Sequence, residues 1–198
     1  MNKMLKLDDK FKKLFGEVFT PIPLVEEMLD KLPPEVWTNP KLTWLDPACG
    51  TSNFLLVIKE RLMKSLCDII PDGEERERHI LEKMLFGVDI QERNIALSKL
   101  RLDPYNKYKT NLEAHDSLKF GFWDRKFDVV VGNPPYQDSG KGEAKRWVLW
   151  HKFVCKGVDI LANTGFLAFV IPSSWMAPSE IFSFLKQYDI LYVSLDIG

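Results

Sequence analysis

Short apolar runs alternate with stretches of helical periodicity along the whole 198-residue chain. The runs cover residues 41–46, 84–90, 110–118, 126–132, 165–172 and 190–198. Between them, residues 52–66 place Phe54, Leu55, Ile58, Leu62 and Leu66 on one helical side, and helices are expected over 91–102, 143–162 and 179–188. Ser179 is the expected N-cap of the last of these, and a polar turn at 71–79 opens a further charged helical stretch. Strands separated by helices of this length need parallel crossovers. The expected fold is therefore α/β, a three-layer sandwich around a mostly parallel sheet. Residues 1–198 read as one domain, with 1–40 as a helical lead-in. Sheets of this kind bind ligands at the carboxyl ends of their strands.

The residues at those ends are unusual. After the first strand comes WLDPACGTSNF (44–54), in which the strand ends at Asp46, a turn holds Gly50 and a helix begins. Glycine lets a ligand approach the backbone, and the helix start offers unpaired amides. The segment is not a GxGxxG fingerprint and lacks the lysine of a phosphate-binding loop. A buried carboxylate at Asp46 suits a ligand carrying an ammonium group; an ordinary strand–turn–helix junction also fits. Asp89 ends the second strand, where an acid binds ribose hydroxyls in dinucleotide sites, or caps a helix. It lies 39 positions after Gly50 (89 minus 50), against about 20 in that fingerprint; the charged insertion at 71–83 accounts for the excess. Asp116, after the third strand, suits an exocyclic amine, and suits a turn equally well. The fourth strand runs VVVG straight into Asn133-Pro134-Pro135-Tyr136. A chance match to that tetrapeptide in a chain this long is on the order of one in a thousand or less.

Composition removes several classes of function. Lys plus Arg number 27 and Asp plus Glu 28, a net charge of −1, so any nucleic-acid contact must be a local patch. Lys141, Lys145 and Arg146 are candidates to meet phosphates, or form a solvated charged face. Three cysteines without CxxC spacing argue against a disulfide framework or zinc site and fit a reducing cytoplasm. His79, His115 and His151 lack metal-ligand spacing, so no metal is expected. The N-terminus is too charged for a signal peptide, and no apolar run is long enough to span a membrane.

Taken together, DPACGTSNF, GVDI, AHDSL and GNPPY resemble the S-adenosylmethionine-dependent DNA methyltransferases of the adenine-N6 type. FGEVFTPIPLVEEML (15–29) ahead of the DPACG turn matches the family's gamma order, and GFLAFVIPSSWM (165–176) resembles its fifth strand and the following loop. The resemblance runs from Phe15 to the C-terminus. It implies the Rossmann-like class I methyltransferase fold, and transfer of a methyl group from S-adenosylmethionine to a flipped adenine in DNA, as in restriction-modification systems.

The resemblance also assigns residues. Asn133, Pro134, Pro135 and Tyr136 would be catalytic, Asn133 and the Pro134 carbonyl accepting the amine hydrogens and Tyr136 stacking on the base. Phe19, Thr20 and Pro21 would form one wall of the cofactor site. Asp46, Pro47, Ala48, Cys49 and Gly50 would surround the methionine end. Asp89 and Ile90 would meet the ribose, and Asp116, Ser117 and Phe153 the cofactor adenine, with Asn133 bordering both ligands. Phe153 is also a reasonable core residue, as are Trp147 and Trp150. Two departures stand out. Ser52 occupies a position where the family more often has glycine, which implies an ordinary backbone angle and a possible helix cap. The family's last strand and target-recognition domain would lie beyond Gly198. The chain is therefore expected to lack the last strand, and to work as a fragment or with a separate specificity subunit or the missing C-terminal region. Alternatives are methylation of a protein glutamine or an RNA guanine, and a cofactor-binding module inactive without a partner.

Overall fold

The computed structural model describes residues 20–136 and 149–195. Five strands form one all-parallel sheet: β1 (Trp44–Asp46), β2 (Leu85–Asp89), β3 (Asn111–Ala114), β4 (Phe127–Gly132) and β5 (Leu161–Phe169). Their order is β3-β2-β1-β4-β5, so the direction of winding reverses between β1 and β4. Six helices accompany them among the described residues: α1 (Ile22–Leu29), α2 (Asn53–Ser65), α3 (Gly73–His79), α4 (Glu92–Leu102), α5 (Leu149–Asp159) and α6 (Glu180–Leu185). None is long and apolar enough to cross a membrane.

Alternation along the strands builds the layers. Trp44, Leu85, Val129 and Val131 join Val25, Leu55, Ile58, Leu62 and Ile95 in a core shared with α1, α2 and α4. The intervening Leu45, Phe86, Val88 and Val130 pack with Phe122, Phe127 and Ile160 in a second cluster. A strand buried on both faces needs this continuous apolar character. Gly87 is required by the crowding: a Cβ there would lie 2.7 Å from Leu112 and 2.9 Å from Leu55.

Several boundaries differ from those read in the sequence. β3 stops at Ala114, because Asp116 folds into a turn in which its Oδ1 accepts the Leu118 amide at 3.1 Å. Residues 80–84 form a π-helical turn ahead of β2. Asn111 Nδ2 ties that turn down by donating to the carbonyls of Leu81, Glu82 and Leu85 at 3.0–3.3 Å. The helix expected over 143–162 ends at Asp159, since the Ile160 carbonyl accepts from the Phe127 amide at the start of β4. Its first residues, with Lys141, Lys145, Arg146 and Trp147, lie outside the described residues. Ser179 does cap α6, accepting the Phe182 amide at 3.3 Å. Of the sixth strand expected over 190–198, the described residues 190–195 carry exposed Ile190, Leu191, Tyr192, Val193 and Leu195 and join no ladder, and 196–198 lie outside the described residues. Strand propensity alone does not hold a strand that lacks a paired neighbour.

Ser52 is a further correction. It sits at φ 68, ψ 38, in the left-handed region, and its side chain makes no capping hydrogen bond. The position therefore asks for glycine, and serine holds it under strain. Its fully buried Oγ has no partner at normal hydrogen-bond distance among the described residues. Ser52→Gly is expected to stabilise the chain by about 1 kcal/mol, because it removes the left-handed penalty and the orphaned hydroxyl at a smaller entropic cost. Urea unfolding of the two proteins measures the difference.

Candidate active site

Asp46 is the last residue of β1, and its carboxyl is only 1% exposed. Its Oδ1 accepts the Ala48 amide at 3.0 Å. Burial pushes its pKa from the ordinary 3.8 up to about 8; the Ala48 hydrogen bond opposes the rise and the nearby Asp89 charge adds to it. A carboxyl held this way is starved of positive charge and is suited to receive a cation. Gly132 lies beside it at the end of β4, with φ at 151, and a Cβ there would come within 2.7 Å of Asp46 Oδ1. The strand before Asn133 thus ends in glycine because the neighbouring strand ends in a buried acid.

The loop after β1 is tied down from three directions. Asp89 Oδ2 accepts the Gly50 amide at 3.0 Å, and the Val88 carbonyl accepts that of Cys49 at 2.9 Å. Ser117 donates its hydroxyl to the Pro47 carbonyl. Ser98 Oγ, on α4, donates to the Gly50 carbonyl at 3.0 Å. Gly50 itself has φ 52 and nothing within 4 Å of where a Cβ would stand, so its surroundings are open. The open space is a shallow cleft lined by Thr20, Asp46, Ala48, Cys49, Gly50, Thr51, Asn53, Phe54 and Asn133.

Six residues expected from the sequence therefore share one cleft: Thr20, Asp46, Ala48, Cys49, Gly50 and Asn133. Asn133 is half-buried and its side chain makes no hydrogen bond among the described residues. Pro134 is buried and Pro135 exposed. Tyr136 rests against the apolar cluster of Trp150, Val154 and Ile181, and burial raises its hydroxyl pKa. Pro21 is exposed, and Phe19 lies outside the described residues. Ile90 is 69% exposed, beside Asp89. Asp89 already serves the protein: besides Gly50, its Oδ1 accepts from the Gln91 amide at 2.8 Å and Asn94 Nδ2 at 3.1 Å. Asp116 is likewise engaged, by the Leu118 amide and by Lys119 Nζ at 3.1 Å. Phe153 is buried, at 7% exposure.

Sequence reading missed Thr51, Asn53 and Phe54 as lining residues, and α4 as the support behind them. A signal was present. Asn94, Ser98 and Arg101 recur at helical spacing, and Asn94 and Ser98 are buried polar residues on the same stripe as the buried Ile95 and Leu102. Polar residues on the inward stripe of a helix need partners, and here the partners belong to the cleft.

Comparison with known proteins places the chain in a family. Residues 83–193, more than half the chain, match the family model described as Eco57I restriction-modification methylase. The chain belongs to that family. Among its relatives, a protein of Mycoplasma pneumoniae named as an uncharacterized adenine-specific methylase is 29% identical over 99% of this chain and 63% of its own length. The type II methyltransferase M.VspI of a Vibrio species is 30% identical over 66% of this chain and 28% of its own. This member of the Eco57I family thus spans under two thirds of the length of either relative. Its fold is that of the class I methyltransferases. A modification subunit of a putative type I restriction enzyme from Vibrio vulnificus superposes with a TM-score of 0.66, at 21% identity, over 93% of this chain and 40% of that one. A putative class I S-adenosylmethionine-dependent methyltransferase from Listeria monocytogenes gives 0.56 at 20% identity, over 91% and 56%.

The buried acid makes stability depend on pH. Between 3.8 and about 8 the folded protein keeps a proton on Asp46 that the unfolded chain has released. This contribution is fully present below the lower value, falls as pH rises through the window, and levels off above it. In the ligand-free protein, Asp46→Asn should flatten the decline in Tm between about pH 5 and pH 8.5, and should be the more stable form at the upper end. Thermal scans across that range test this; parallel pH profiles for variant and wild type would refute the Asp46 assignment.

Proposed function

We propose that this chain is the donor-binding and catalytic portion of a DNA adenine-N6 methyltransferase. The observation that carries the reading is that Asn133 borders the same cleft as Asp46 and Gly50. An acceptor-binding motif and an ammonium-seeking acid thus adjoin on neighbouring strands, and the adenine-specific name of the Mycoplasma relative points to the substrate.

The residues present suit S-adenosylmethionine. Asp46, short of positive charge, would hold the ammonium of its methionine end, and the open face of Gly50 would let the backbone approach. Asp89, at the end of β2 beside the Gly50 loop, would meet a ribose hydroxyl. When bound, the cofactor supplies an electrophilic methyl group. The rest is the protein's work. Adenine's exocyclic nitrogen delocalises its lone pair into the ring. Asn133 Oδ1 and the Pro134 carbonyl would accept its two hydrogens, turning the lone pair toward the donor and stabilising the positive charge that develops. Two consecutive prolines fix the backbone that aims the carbonyl. Such an amine is out of reach inside a duplex, so the base must leave the stack, at a cost of a few kcal/mol. DNA is the proposed partner, with recognition supplied by a specificity subunit or a further region of the polypeptide, and the cytoplasm is the proposed compartment.

Asn133→Ala should lower methyl transfer by about 100-fold or more, while donor affinity stays within about threefold of wild type. Tritiated donor, duplex DNA and calorimetry measure both quantities. Label recovered in N6-methyladenine supports the reading; label recovered in RNA or a protein glutamine instead would replace it.

A further inference from the structure

α4 carries a cation whose partners all lie at the cleft. Arg101 Nη1 donates to the Thr51 carbonyl, to Thr51 Oγ1 at 2.9 Å and to Asn53 Oδ1 at 3.0 Å. Asn53 in turn donates from Nδ2 to the Thr20 carbonyl at 2.8 Å. Thr20, Thr51 and Asn53 all line the cleft. We infer that Arg101 is a positioning residue that acts through Asn53 to strap the lead-in segment, at Thr20, onto the wall of the donor cleft. This rests on the donor-site reading above.

The chemistry gives the contact its direction. An asparagine amide has one acceptor end and one donor end. With a guanidinium facing Asn53, its oxygen must turn toward Arg101, and its NH2 is then aimed at a carbonyl. Rotating the amide would oppose donor to donor and acceptor to acceptor. Arg101 therefore sets which end of Asn53 meets the lead-in. Its own cost argues for a purpose: it is partly desolvated, which lowers its pKa, and it forms no ion pair with a carboxylate among the described residues. A cation that only improved solubility would sit in water. The two other polar residues on its face of α4 also serve the loop, Ser98 through Gly50 and Asn94 through Asp89. Arg101 extends the support one segment further, to the N-terminal side of the cleft.

A second tie makes the test specific. Arg61 on α2 holds the far end of α1, donating to the Glu26 carbonyl at 3.1 Å and pairing with Asp30 at 2.7 Å. Loss of Arg101 should thus free Thr20 and the start of α1 and leave the end of α1 in place.

The experiment compares wild type, Arg101→Gln, Arg101→Lys, Asn53→Ala and the Gln/Ala double variant. In the ligand-free chain, hydrogen exchange should quicken by about tenfold in peptides spanning residues 20–25 and 50–54 for the Gln and Ala variants, with little change over β2 and β4. Calorimetric titration with S-adenosylmethionine should show affinity reduced by about five- to tenfold in each single variant and by clearly less than the product of the two losses in the double, because both share the Arg101–Asn53 contact. KM for the donor should rise while saturated kcat holds, and lysine should restore part of the affinity, since it keeps the charge without the fork. Unchanged exchange at 20–25 overturns the inference, as does a double variant whose losses multiply. If Arg101→Gln does not fold, Asn53→Ala and Arg101→Lys carry the same comparison. A wild-type chain that binds no donor overturns the donor-site reading instead, and the exchange result then decides the strap by itself.

Discussion

A buried carboxyl pressed against a glycine on the next strand organises this molecule. Asp46 ends β1 inside the protein, and Gly132 ends β4 beside it because any side chain at 132 would strike the acid. The contact joins the two halves of the candidate site. On one side of it begins the loop that Asp89, Val88, Ser117 and Ser98 hold by hydrogen bonds; on the other begins Asn133-Pro134-Pro135-Tyr136. The unusual junction of an apolar strand with two prolines follows from this pairing. The strand can end abruptly there because the residue before Asn133 must lack a side chain and adopts a backbone angle that only glycine takes easily.

The fold was largely legible, for a simple reason. Helices and strands of ordinary length, buried on both faces of a sheet, leave strong periodic traces, and parallel crossovers leave few topologies to choose among. β1, β2 and β4 fall within the apolar runs that announce them. The site's location followed from the rule about strand ends, and Asp46, Gly50 and Asn133 do share a cleft.

What was not legible depended on partners distant in sequence. Ser52 looks like a helix cap in a linear reading, yet the loop's path forces it into a left-handed conformation. Asp89 and Asp116 read equally well as ligands and as cap or turn residues, and only the fold shows that backbone amides already take up part of their accepting capacity. Tyr136 reads as a stacking ring, while its position against Trp150 and Ile181 depends on two helices that come later in the chain. Residues 190–195 have the composition of a strand but no ladder to join. The contribution of α4 was hidden because its polar residues are spaced for a face, and the face acquires meaning only when the loop folds over it.

The neighbouring positions of β1 and β4 carry one more consequence. Trp44 pairs with Val129 and Leu45 with Val130, so Asp46 and Gly132 stand on adjacent rungs of a single ladder. Adjacent strands lie about 4.8 Å apart in any sheet. The spacing between the two halves of the candidate site is thus inherited from backbone pairing, as fixed as a lattice constant, and does not depend on loop length. The loops beyond these strands can therefore vary in length without changing the spacing of Asp46 and Gly132.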